Sequence, residues 1–143
     1  MKSWVDISGE ELPVAEVHRF LAASEGGGIT VFVGTTRKLT DGKITSLLSY
    51  EAHITMAHKE MTKLVRLAGE QWPILRAVLL HRTGDVLVGE ASVIVGVATA
   101  HRAASFEACR YLIDELKKTV QIWKKEIDQD GNGEWIGDEW GTD

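Results

Sequence analysis

The chain has 143 residues, 44% of them hydrophobic, and a formal net charge of −5 from 16 Lys/Arg and 21 Asp/Glu. That is enough apolar material for one domain with a core, taken as residues 1–143, and an acidic balance that argues against a general nucleic-acid binder. The lone Cys109 excludes an internal disulfide and a multi-cysteine zinc site. The opening "MKSWVDISGEEL" lacks an apolar signal core, and the longest apolar run, "ASVIVGVATA", is too short to span a bilayer. A soluble cytoplasmic protein with no membrane or nucleic-acid partner is expected.

In chain order, Ser8 and Glu11 form a capping-box pattern, with Pro13 near the first turn and an apolar stripe of Val14, Val17, Phe20 and Leu21. This predicts a first helix, broken by "EGGG" at 25–28. "ITVFVG" (29–34) reads as a buried strand, "TTRKLTDGK" as a loop turning at Asp41-Gly42, and 44–52 as the returning strand. Residues 55–71 place Met56, Met61, Leu64, Val65 and Leu67 for an amphipathic helix. "ILRAVLLHRTG" and "ASVIVGVATA" read as strands joined through "DVLVGE", and a long helix starts near 102. Its expected apolar stripe is Phe106, Cys109, Ile113 and Leu116, with Cys109 a small buried hydrophobe. The terminal "DGNGEWIGDEW" has hairpin character. Helices and strands mix without strict alternation and with short links, which predicts an α+β fold with a mixed, largely antiparallel sheet packed with two or three helices.

Several apparent motifs have plain explanations. Asp128, Asp130, Asn132, Gly133 and Glu139 fit the spacing of a calcium-binding loop, but there is no second such loop and a glycine-rich acidic turn accounts for the same letters. His53 and His58 are five apart and do not stack on a helix face; His18 and His81 sit in amphipathic stretches where partly buried histidines are ordinary. Neither a metal nor a cofactor is expected. "GGG" precedes a strand and is no phosphate-binding fingerprint.

The basic residues are less ordinary. Residues 101–125 hold six Lys/Arg against three acids, whereas 126–143 hold seven acids and no Lys or Arg. His101 and Arg102 open the long helix, at the end whose unpaired N–H groups and positive partial charge disfavour cations. An anion at that end would remove the conflict. Further along, Glu107, Arg110, Asp114, Lys117 and Lys118 can form a solvated ion-pair row. Lys117 and Lys124 are seven apart, so a helix continuing past 117 would stack them two turns apart. Arg37 sits where a buried strand runs into a loop, a common place for ligand contacts.

Taken together, "FVGTTR", "HRAASFEA", "DELKKTVQIWKKE" and "RAVLLHRTGDVLVGEASVIVGV" resemble the large, catalytic subunit of molybdopterin synthase, over about residues 5 to 136. The resemblance implies a hammerhead-like fold and a sulfurtransferase of molybdenum-cofactor biosynthesis. Its substrate would be cyclic pyranopterin monophosphate (precursor Z), its sulfur donor the thiocarboxylated C-terminus of a small ubiquitin-like subunit, and its assembly a homodimer within a heterotetramer. The family's substrate contacts fall on Thr35, Thr36 and Arg37, its His-Arg pair on His101 and Arg102, and its catalytic lysines on Lys117 and Lys124, with Lys125 and Glu126 completing the site. Two departures stand out: Gln121 replaces a frequent proline, and the tail "EWIGDEWGTD" has no basic residue. The competing reading is a non-catalytic module that binds a ubiquitin-like sulfur carrier; it would need a groove for the tail but not both lysines and the His-Arg pair.

Overall fold

"ILRAVLLHR" and "ASVIVGVAT" have too many apolar side chains in succession for a sheet with one wet face, so both strands must be covered on two sides. They are. A computed structural model describes residues 1–40 and 42–136, and these two runs form β5 (Ile74–Arg82) and β7 (Ala91–Thr99) at its centre. Around them run β1 (Lys2–Ser8), α1 (Val14–Leu21), β2 (Gly28–Thr35), β3 (Leu39–Thr40), β4 (Lys43–Ala52) and α2 (Ile54–Gln71). β6 (Gly84–Leu87), α3 (Arg102–Thr119), β8 (Ile122–Asp128) and β9 (Gly133–Ile136) complete the described elements. The first sheet has the order β1-β5-β7-β2; only β1 and β5 pair in parallel. The second has the order β3-β4-β8-β9, with β6 also paired to β4, and is antiparallel throughout. The mixed, largely antiparallel α+β expectation holds, with three helices among the described residues.

The first sheet separates two apolar clusters. On one face Val17 and Leu21 of α1 meet Val78, Leu80, Ile94 and Ala98. On the other, Met61, Leu64 and Val65 of α2 and Ala108, Cys109, Leu112 and Leu116 of α3 pack against Leu79, Val93, Val95 and Val97. The two helices on that face are joined by the Trp72–Tyr111 ring contact at 5.2 Å and by Trp72 Nε1 donating to Glu107 at 3.0 Å.

Several local expectations change. Ser8 does not cap α1; it ends β1, whose seven residues pair in register with Arg76–Arg82. Helix α1 starts at Val14 behind Pro13 with no side-chain cap bond. The local pattern of Ser8 lost to a long-range strand pairing that no short sequence window contains. The buried face of α3 is Ser105, Ala108, Cys109, Leu112 and Leu116, while Phe106 is 61% exposed, so the stripe is rotated from the one expected. Helix α3 also stops at Thr119, before Gln121, and Lys124 lies on strand β8, so Lys117 and Lys124 are not stacked on one helix. "DVLVGE" contains β6 and a tight turn at Gly89, whose φ is +85. Gly42 has the left-handed φ of +80 that a turn needs; Asp41 lies outside the described residues. His18 is exposed rather than partly buried.

The acidic letters after 127 build a hairpin turn between β8 and β9. Asp128 Oδ1 accepts from the backbone N–H groups of Asp130 and Asn132, both at 2.9 Å, and Gly131 supplies φ +81. Those N–H donors hold the exposed Asp128 carboxyl below its usual range. Glu139 and the tail 137–143 lie outside the described residues.

Because Leu112 is fully buried at the centre of the α3 face, Leu112→Ala is expected to lower unfolding stability by about 2–5 kcal/mol. Urea titration of both proteins checks this.

Candidate active site

The C-terminal half of α3 runs toward the place where the end of β2 approaches β4 and β8 of the second sheet. A cavity of about 640 Å³ opens there, lined by Thr35, Arg37, Tyr50, His81, Lys117, Lys124 and Glu126 among others. Five residues expected at the site from sequence therefore meet: Thr35, Arg37, Lys117, Lys124 and Glu126. They come from the end of β2 and the loop after it, from α3 and from β8. Lys117 is in the last turn of α3, where the negative end of the helix dipole favours a cation. Lys124 sits opposite Tyr50 in the β4–β8 register. Glu126 is fixed by the hydroxyl of buried Thr45, which donates to Oε1 at 2.5 Å.

Four expected residues do not line this cavity. Thr36 is buried under β6: its hydroxyl donates to the Val86 carbonyl at 3.3 Å and its N–H to the Glu90 carbonyl at 3.2 Å. It fixes the β2 end rather than facing the cavity. Lys125 points to the opposite face of β8 from Lys124, as strand alternation requires, and its Nζ lies 5.5 Å from the Trp135 ring centroid. His101 and Arg102 are at the far end of α3, both exposed, and the His101 side chain makes no capping bond. From Arg102 to Lys117 the helix is unbroken, which separates their backbones by roughly 22 Å. The start of α3 rests against β2 so tightly that a Cβ on Gly28 would come within 3.0 Å of Arg102 Cα.

Sequence reasoning missed His81 and Tyr50 as cavity residues. His81 is buried, with its ring edge-on to Tyr50 at a centroid distance of 5.0 Å. Its Nδ1 lies 2.8 Å from the Arg82 carbonyl oxygen. Burial pushes the His81 imidazole down to about pKa 4, and the ammonium groups of Lys117 and Lys124 add to that; the Arg82 hydrogen bond only partly opposes it. Arg110 and Lys118 also border the cavity, with Arg110 Nε 3.4 Å from Asp114 Oδ2. The site is cationic, and among the described residues no group of three or more His, Cys, Asp or Glu is arranged to hold a metal. The one cysteine is no nucleophile either: burial pushes the Cys109 thiol up to about 11.

A fold that sets two lysines from different elements over a buried histidine invites comparison with known proteins. Residues 7–119 match the family described as MoaE protein. The chain belongs to the MoaE family. A molybdopterin synthase catalytic subunit from Bos taurus is 43% identical over 134 residues, 94% of this chain and 71% of that protein. One from Thermoplasma volcanium is 37% identical and is covered over 98% of its length. The crystal structure of molybdopterin synthase from Staphylococcus aureus superposes with a TM-score of 0.87 at 32% identity, covering 93% of this chain and 96% of that one. This MoaE-family chain is accordingly an enzyme of the molybdopterin synthase catalytic-subunit type, a sulfurtransferase. No helix among the described residues is long and apolar enough to cross a membrane.

The buried imidazole gives the MoaE-family fold a measurable acid weakness. An imidazole in the unfolded chain takes up its proton near pH 6.5, and His81 in the fold only near 4. Between those values the unfolded state binds more protons, so stability that is full above pH 6.5 is lost on acidification. Going from pH 7.5 to 5, the loss assigned to His81 is about 2 kcal/mol. Urea midpoints at the two pH values should show this difference in the wild type and a smaller one in His81→Gln.

Proposed function

We propose that the cavity is where sulfur passes from the thiocarboxylated C-terminus of a small ubiquitin-like subunit to cyclic pyranopterin monophosphate. The observation that carries this is the convergence of Arg37, Lys117 and Lys124 on one cavity that no cysteine lines. The sulfur then arrives on a partner, and the work left to this chain is electrostatic. Lys117 lies beside the incoming thiocarboxylate, orients it and stabilises the charge that moves as sulfur attacks. Lys124, set in the strand by the β4–β8 pairing, anchors the substrate or assists proton transfer. Arg37 holds the phosphate, and Thr35 and Glu126 fix the pterin end. The enzyme works in the cytoplasm and uses no metal or organic cofactor of its own.

His101 and Arg102 belong to the same reading only if a second copy supplies them. An unbroken helix keeps them roughly 22 Å from Lys117 in their own chain. Strand β2 offers the means. It is the open edge of the first sheet, and Ile29, Val31 and Phe32 on it are each 40% exposed. Such an edge is a ready template for pairing. Its start lies against Arg102 and its end lines the cavity. An isologous, antiparallel approach of two β2 strands would set each protomer's helix start beside the other's cavity. Arg102 and His101 then take the phosphate in the partner's site, and the helix N-terminus that they burden with positive charge receives an anion. The complete enzyme is a homodimer carrying two sulfur-donor subunits.

Two measurements test this. Lys117→Ala should abolish dithiolene formation while changing stability little, by about 1 kcal/mol; near-normal turnover with purified thiocarboxylated partner would refute the assignment. Mixing inactive Arg102→Ala with inactive Lys117→Ala should restore part of the activity after subunit exchange, because one site in each mixed dimer regains every wild-type residue. Verified exchange with no recovery would place the two residues in one chain's site or remove Arg102 from it.

A further inference from the structure

His81 is a buried titratable side chain of the cavity to which the proposed chemistry gives no task. Its position is unusual for an idle residue. The ring is buried on β5, edge-on to Tyr50, and lines the same cavity as Lys117 and Lys124. A carbonyl oxygen can only accept, so the 2.8 Å contact with Arg82 O puts the proton of the neutral ring on Nδ1. Nε2 is then an unprotonated acceptor. Among the described residues the buried side-chain atoms that lack a partner are Glu60 Oε2 and Arg82 Nε. His81 Nε2 is not one of them, so it either meets a donor or opens onto the cavity.

We propose that His81 is a positioning residue of the sulfur-transfer site: a neutral imidazole that donates through Nδ1 to its own strand and presents Nε2 as the acceptor that holds the Lys117 ammonium toward the incoming thiocarboxylate. The proposal rests on the reading of Lys117 given above. Its physical basis is a matching of charge. Lys117 from α3 and Lys124 from β8 line the cavity together with the ring, Tyr50 packs on it from β4, and Arg37, Arg110, Asp114, Lys118 and Glu126 supply the rest of the charged lining. A carboxylate in place of the ring would neutralise an ammonium that the thiocarboxylate needs, and an apolar residue would offer no acceptor at that position. A neutral acceptor directs the lysine without competing for its charge. Because the ring stays neutral to about pH 4, it keeps this role throughout the physiological range.

The test uses the assembled enzyme with its thiocarboxylated partner and three variants. Glutamine can carry an acceptor near the Nε2 position; asparagine can replace only the Nδ1 donor; phenylalanine replaces neither. His81→Gln should retain kcat within about threefold, whereas His81→Asn and His81→Phe should lose at least about tenfold, with little change in KM for the pterin substrate. Nitrogen-15 spectra of the wild type should show a neutral, Nδ1-protonated ring from pH 8 down to 5. Equal activity in all three variants, rescue by Asn rather than Gln, an Nε2-protonated ring or a titration near 6.5 would each overturn the proposal. If His81→Phe fails to fold, the Gln–Asn comparison and the wild-type spectra still decide. Full activity in Lys117→Ala would instead overturn the underlying site assignment, leaving the tautomer of His81 a separate result.

Discussion

The apolar face of α3 is the constraint on which the rest of the site depends. Ala108, Cys109, Leu112 and Leu116 dock on β7 and its neighbours, fully or almost fully removed from water. A helix held along more than two turns in this way behaves as a rod, and both of its ends are then fixed at once. One end puts Lys117 into the cavity. The other puts His101 and Arg102 against the start of β2, where neither makes an ion pair among the described residues. Burial of methylene groups at about 0.8 kcal/mol each is far stronger than any surface charge preference. The packing therefore dictates the geometry, and the exposed charges at the helix N-terminus follow it.

The two ends differ electrostatically for the same reason. Lys117 and Lys118 occupy the last turn, where the backbone carbonyls welcome cations, so they cost the helix nothing. Arg102 opens the first turn, which contains no acidic residue. A stable free-standing helix would reverse this arrangement. Its persistence makes sense if the energy is recovered when an anion binds, which turns a local conflict into binding selectivity. The interior of the site follows a complementary rule. Desolvation holds His81 neutral and keeps Cys109 as a thiol, so the charged groups that remain active are those on the cavity wall.

How much of this was legible in the sequence depended on the range of the interaction. The central strands, α2 and the long helix follow from periodicity, and Thr35, Arg37, Lys117, Lys124 and Glu126, which the family resemblance implies for the site, line the cavity. Strand β1 was missed because "KSWVDIS" has no strong local pattern; its identity comes from parallel pairing with β5, some seventy residues away. The same pairing defeated the Ser8 capping box. The end of α3 is not legible locally, because "LKKTVQIWKKE" suits a helix, but Val120 and Ile122 are buried and the segment pairs with β4. His81 looked like an ordinary core histidine. Only the approach of α3 and β8 to its ring, a tertiary event, gives it two cationic neighbours.

The boundary between α3 and β8 decides which lysines reach the cavity. On a helix, Lys124 and Lys125 would point about 100° apart and both could lean toward one groove. On β8 they point to opposite faces, so Lys124 enters the cavity while Lys125 lies over Trp135. Glu126, two residues on, returns to the side of Lys124 and is fastened by Thr45. The order Lys-Lys-Glu is thus sorted by strand alternation into one cation and one anion inside and one cation outside. A net cavity charge set in this way depends on the register of β8 against β4. A one-residue slip would exchange Lys124 and Glu126 for Lys125 and leave the site with neither its second lysine nor its carboxylate. The short Val120-Gln121 link between α3 and β8 works against such a slip, because buried Val120 and Ile122 anchor both ends of it. The packing that fixes Lys117 at the end of the rod therefore also fixes which face of the next strand meets it.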